Sequence, residues 1–143
     1  KMSNNANTYL IELLKTIKTI ALVGASAKPH RASHKVMSFL QQHGFRVFPV
    51  NPSLAGQELL GEKVYASVAD LPTPIDMIEI FRNSEAAGET CKEVFELDTE
   101  NYPKVIWMQI GVSNQEAAKH AETKGIEVIM DKCPKKIIQE SKH

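Results

Sequence analysis

The sequence predicts an α/β protein, a mostly parallel open sheet of about five strands with helices packed on both faces. Three observations carry this. Short apolar runs of strand character alternate with longer segments of helical spacing along the whole chain. The run Thr19-Ile20-Ala21-Leu22-Val23 is continuous and apolar, as a central strand buried on both faces requires, and it stops at Gly24. Strands separated by single helices pair in parallel through right-handed crossovers, which puts helices on both faces of the sheet. The result is a Rossmann-like three-layer αβα sandwich, and 143 residues suffice for one such domain with little left over.

Each element has its own signal. A helix over 9–17 precedes the first strand at 19–23. From Ser33, a plausible N-cap, Val36, Met37, Phe39 and Leu40 share one helical face until Gly44 closes the helix as a left-handed cap. Arg46 to Val50 is a second strand, broken at Asn51-Pro52, and Pro49 places it near a sheet edge because proline cannot serve a central ladder. Val64-Tyr65 is a short extended segment and Ala66 to Leu71 a single helical turn. Asp76 to Phe81 resumes strand character after Pro72 and Pro74. A helix over 85–97, a strand over 104–108, a helix over 114–124 ended by Gly125, and a strand over 127–130 complete the alternation.

Composition excludes several classes. Seventeen Lys and Arg balance seventeen Asp and Glu, so there is no electrostatic footprint for nucleic acid or an anionic membrane. Cys91 and Cys133 form no CxxC pair, which argues against a zinc site or a disulfide framework and for reduced thiols in a cytoplasm. No run approaches the roughly 20 apolar residues of a membrane span, and no signal peptide is expected. Lys1 and His143 read as cloning remnants.

The chemistry concentrates where such sheets bind ligands, beyond the carboxyl ends of the strands. Those ends carry Gly24-Ala25-Ser26, Asn51-Pro52, Phe81-Arg82, Gln109-Ile110-Gly111 and Asp131-Lys132-Cys133. Gly24 permits a tight turn, and the helix that follows presents unpaired N–H groups suited to an anion. Ser26 and Ser33 add hydroxyl donors, and Lys28 and Arg31 add charge, Arg31 with two-point geometry for a phosphate. The expected ligand is therefore of nucleotide type, its phosphates on the turn from Gly24 to Ser33. The full GxGxxG fingerprint is absent, since Ser26 and Pro29 interrupt it. Strand two ends in Asn51-Pro52, where an NAD site usually carries an acid for the ribose hydroxyls.

The string Gly24-Ala25-Ser26 with Pro29, Arg31 and Ser33, followed by Pro49-Val50-Asn51-Pro52, resembles the family of small stand-alone CoA-binding proteins. Phe81-Arg82, Trp107-Met108-Gln109-Ile110-Gly111 and Asp131-Lys132-Cys133-Pro134 follow in that family's order, so the resemblance spans about 17–134. The family is similar to the N-terminal CoA-binding domain of the succinyl-CoA synthetase alpha subunit. What the resemblance implies is binding of coenzyme A or an acyl-CoA without ligase chemistry. It also implies a diphosphate on the turn from Gly24 to Ser33, adenosine near Val50-Asn51-Pro52, and pantetheine running toward Phe81-Arg82 and Gln109-Gly111.

Other residues have plainer readings. His30 and His34 lie four apart, but His30 precedes the helix and no carboxylate accompanies them, so no metal is expected. His43 and His120 fall late in helices and read as surface groups. Trp107 and Cys91 read as core, and Asp70, Asp76 and Asp131 as cap or turn residues. Cys133, at the crevice edge before a short helix, is either a packed thiol or a nucleophile toward a thioester. No catalytic constellation is visible. The alternatives are an NAD(P)-binding redox protein, an acyl-CoA thioester enzyme using Cys133, or a protein-interaction module that has lost its ligand; a homo-oligomer or a protein partner is open in each.

Overall fold

The computed structural model describes residues 2–141, so Lys1 and His143 lie outside the described residues. Helix α1 spans Met2–Lys15 and begins well before the Tyr9 that the apolar spacing marked. Its polar first turns carry no apolar stripe, which is why periodicity missed them.

Five parallel strands form the sheet: β1 (Thr19–Val23), β2 (Arg46–Val50), β5 (Met77–Ile80), β6 (Val105–Met108) and β7 (Glu127–Ile129). Between β2 and β5 the chain makes a two-stranded antiparallel hairpin of β3 (Glu58–Leu59) and β4 (Glu62–Lys63). The helices after α1 are α2 (Ala32–Gln42), α3 (Ser84–Phe95), α4 (Gln115–Thr123) and α5 (Pro134–Glu140).

The sheet order is β2-β1-β5-β6-β7. The chain leaves β1 for β2 on one side, then crosses to β5 on the other, so the order reverses between β1 and β5. That reversal opens a crevice at the carboxyl ends of these two strands. β2 is an edge strand, as Pro49 requires, and its outer side is covered. The Tyr65 N–H donates to the Pro49 carbonyl at 2.9 Å, and the Asn51 N–H to the Tyr65 carbonyl at 2.9 Å.

Two apolar layers sandwich the sheet. On one face Leu10 and Leu14 of α1, Met37 and Leu40 of α2 and Ile137 of α5 pack with Leu22, Met77 and Trp107. On the other, Ala87, Cys91 and Val94 of α3 and Ala121 of α4 pack with Ala21, Ile78 and Ile106. Trp107 is fully buried, and its indole N–H donates to the Lys132 carbonyl at 2.9 Å, tying the sheet to the segment before α5. One core residue breaks the pattern: Glu79 of β5 is fully buried between Leu22 and Trp107, with no hydrogen-bond partner for either carboxyl oxygen among the described residues.

Candidate functional site

The crevice at the β1/β5 switch point is a cavity of about 500 Å³. Its walls are the turn after β1, the first turn of α2, the segment after β2, and Phe81 after β5. A second cavity of about 620 Å³ adjoins it, lying between α2, the ends of β5 and β6, and α5. Ala32 and Phe81 line both, so an elongated ligand could occupy the two in sequence.

The turn after β1 is built by a close approach of three strand ends. Gly24 has φ +93°, its N–H donates to the Val50 carbonyl at 3.0 Å, and the Phe81 N–H donates to the Val23 carbonyl at 2.8 Å. A Cβ on Gly24 would stand 2.3 Å from the Phe81 carbonyl oxygen. The glycine is therefore needed as much for sheet closure as for the turn itself. Ala25 is buried and its N–H also reaches the Val50 carbonyl, at 3.3 Å. The Ser26 hydroxyl accepts from the Lys28 N–H at 3.1 Å, which leaves its own proton available to a ligand.

Helix α2 starts two residues earlier than Ser33 as N-cap predicts. Arg31, with extended backbone, is the N-cap residue, and Ser33 is the second helical residue. The displacement has a simple cause: Arg31 offers no capping side chain, so the composition signal for a cap pointed to the next serine. The α2 terminus has neither a side-chain cap nor an acid in its first turn. By contrast α3 and α4 are capped by Asn83 and Asn114 and carry Glu85 and Glu116 in their first turns. The positive end of the α2 dipole therefore faces the crevice uncompensated.

Asn51 uses both ends of its amide. Nδ2 donates to the Ala25 carbonyl at 2.8 Å, and Oδ1 accepts from the Ser53 N–H at 2.8 Å. It joins the end of β2 to the turn after β1 while also lining the crevice. Asn51→Asp puts a carboxylate oxygen against the Ala25 carbonyl, and is expected to cost about 1–3 kcal/mol of stability in urea unfolding.

Of the residues singled out from the sequence, Gly24, Ala25, Ser26, Arg31, Ser33, Asn51 and Phe81 line the first cavity. Phe81, Arg82 and Gln109 line the second. Val50, Pro52, Pro29 and Gly111 line neither. Val50 is buried and contributes its carbonyl to the turn, and the Gly111 N–H donates to the Asp131 carboxylate at 2.7 Å. Pro29 and Pro52 are exposed. No local pattern points to Leu54, nor to the contribution of Lys35, Lys135 and Lys136, which only the meeting of α2 with α5 brings to one cavity.

Cys133 lies on the wall of the second cavity and is 5% exposed. Cys91 is buried under α3, where burial pushes its thiol up to about 11 and leaves it unreactive. His43 is half-buried, not a surface group, with its ring stacked on Phe39 at 3.9 Å. His120 is exposed and stacks on Phe95. Among the described residues, no three His, Cys, Asp or Glu side chains are grouped to hold a metal, and no helix is long and apolar enough to cross a membrane.

A doubly wound parallel sheet with its cavities at the switch point makes this a Rossmann-like domain. Residues 18–139 match the CoA binding domain family, and the chain belongs to that family. It is 38% identical over 134 residues to the uncharacterized protein YneT of Bacillus subtilis (strain 168), covering 94% of this chain and 95% of that one. It is also similar to the alpha subunit of an ADP-forming acetate–CoA ligase of Pyrococcus furiosus, at 36% identity over 74 residues. That match covers 49% of this chain and 16% of the ligase subunit, so the likeness is to a small part of the ligase. A solved structure from Thermus thermophilus superposes with a TM-score of 0.85 at 35% identity, over 94% of this chain and 97% of the other. A hypothetical protein from Pyrococcus horikoshii gives 0.84 at 34% identity, over 94% and 90%.

Proposed function

We propose that this chain binds coenzyme A, free or acylated, along the two joined cavities and carries out no ligase chemistry of its own. The observation that carries the proposal is the crevice at the switch point, where an uncapped helix start meets a glycine turn, in a chain of the CoA binding domain family. In this reading the diphosphate rests on the N–H groups at the start of α2, assisted by Ser26, Ser33, Lys28 and Arg31. Adenosine lies toward Asn51 and Leu54, and the pantetheine arm passes Phe81 to reach Arg82 and Gln109. Pro29, Val50 and Pro52 border the adenosine and diphosphate end of this path, and Gly111 the pantetheine end.

Titration calorimetry of the ligand-free protein with CoA, acetyl-CoA, NAD and NADPH tests this. Binding of the CoA compounds with no heat from the nicotinamides is the expected result, and a preference for a nicotinamide overturns it. Arg31→Ala is expected to weaken CoA binding by about 1.5–3 kcal/mol, as loss of a charged hydrogen bond does. Arg31 is exposed, so the same variant should unfold at the parent's urea midpoint.

The place of Cys133 on the wall of the second cavity favours one further reading, thioester cleavage with Cys133 as nucleophile. Release of free CoA thiol from acetyl-CoA, stopped by Cys133→Ser, would support it; no release above the buffer rate would exclude it.

A further inference from the structure

We propose that the second cavity selects CoA thioesters whose acyl group itself ends in a carboxylate, a refinement that rests on the coenzyme A reading above. The cavity has an apolar floor and a cationic rim. Val36, Phe81 and Val112 supply the floor, a surface suited to methylene groups. Lys35, Arg82, Lys135 and Lys136 supply the rim, and among the described residues no Asp or Glu lines the cavity.

Among the described residues these four cations take part in no ion pair. The ion pairs found among the described residues join Lys15 to Glu12, Arg46 to Glu62 and Lys104 to Asp76, and none involves the rim. The Lys135 Nζ lies 5.7 Å from the centroid of the Phe39 ring, so its neighbour there is apolar. Like charges crowded around one apolar cleft raise its potential, and an anionic group bound there relieves the repulsion.

The phosphates of coenzyme A do not account for this charge. The diphosphate is met by Lys28, Arg31 and the α2 terminus in the first cavity, and the 3′-phosphate sits on the ribose, at the far end of the ligand from the thiol. Gln109 gives the arm a fixed point on the way: it lines the second cavity, and its buried Oε1 has no hydrogen-bond partner among the described residues, so it can accept from a pantetheine amide N–H. Beyond it the acyl group meets the rim. Neutral short acyl chains use only the floor; a terminal carboxylate uses both.

The test compares two hydrolysis-resistant thioethers of equal chain length, S-carboxyethyl-CoA and S-propyl-CoA, by titration calorimetry on the full chain. The carboxyethyl compound is expected to bind about tenfold tighter at low ionic strength, an advantage that shrinks as salt screens the rim. In the double variant Lys135→Gln, Lys136→Gln the advantage should fall to about threefold or less, with S-propyl-CoA binding as it does to the parent. Equal affinity for the two thioethers overturns the proposal while leaving the coenzyme A reading intact. So does a double variant that weakens both alike and no longer distinguishes CoA from dephospho-CoA, which would assign the lysines to the 3′-phosphate. If neither thioether nor CoA binds, the coenzyme A reading fails and this one fails with it.

Discussion

Gly24→Ala is expected to destabilise the protein by about 3–5 kcal/mol and to abolish ligand binding at the switch point, the largest effect of any alanine substitution in the turn. Two costs add. The backbone at Gly24 sits at φ +93°, where an L side chain is strained, and the added Cβ would stand 2.3 Å from the Phe81 carbonyl oxygen and 3.0 Å from its carbonyl carbon. Backbone atoms just past the end of a central strand cannot swing aside as a side-chain tip can. Relief requires moving the end of β5 away from β1, which breaks the 2.8 Å bond from the Phe81 N–H to the Val23 carbonyl and widens the crevice. Gly125→Ala is the control: it also has positive φ, +78°, but nothing lies within 4 Å of its Cβ position. That variant should cost only about 1–2 kcal/mol. Urea unfolding of the two variants separates strain from close approach, and equal losses would show that the approach to Phe81 carries no weight.

Glu79 governs the second large effect, on the pH dependence of stability. Burial alone pushes its carboxyl up from 4.5 to about 8, since no charged group or hydrogen bond compensates it. A folded-state value above the unfolded one means that the folded protein holds a proton that the unfolded chain has released. The stabilising contribution is then full below about 4.5 and is lost progressively as pH rises toward 8. Each pH unit in that window lowers the folding constant up to about tenfold through this residue. Glu79→Gln should remove this slope, so that the stability difference between variant and parent grows in the variant's favour from pH 5 to pH 8. Glu79→Met, which matches the apolar surroundings of Leu22, Met77 and Trp107, should be more stable than the parent at pH 8. Denaturant titrations at several pH values decide it: parallel pH profiles for parent and Glu79→Gln would show that the carboxyl titrates normally.

Glu79 also marks where local pattern ceases to inform. A charge inside the run Met77-Ile78-Glu79-Ile80 was visible, yet strand alternation alone does not say whether its face is solvent or core. Only the helices of the first layer, covering Leu22 and Trp107 on either side, bury it. The same applies to the crevice. Gly24 after an apolar strand, the polar residues at strand ends and the edge position of Pro49 were legible, because each follows from local backbone chemistry and from where parallel sheets leave their crevice. Ser33 was misplaced as a cap by two residues because cap propensity is a statistical preference that Arg31 does not follow.

By itself the sequence determined the alternation of strands and helices, the parallel sheet and the crevice end of the molecule, since these depend on hydrophobic period, chain connectivity and the handedness of crossovers. Tertiary structure alone decided which polar residues face the crevice and which serve the scaffold. Asn51 spends its amide on Ala25 and Ser53, Gly111 turns its N–H to Asp131, and Val50 gives its carbonyl to Gly24 and Ala25. Residues far apart in the chain, Lys35 on α2 and Lys135 and Lys136 on α5, come to one cavity only when the two helices pack side by side. Helical period fixes a residue's face on its own helix; the partner that face meets is set by long-range packing, which no local pattern encodes.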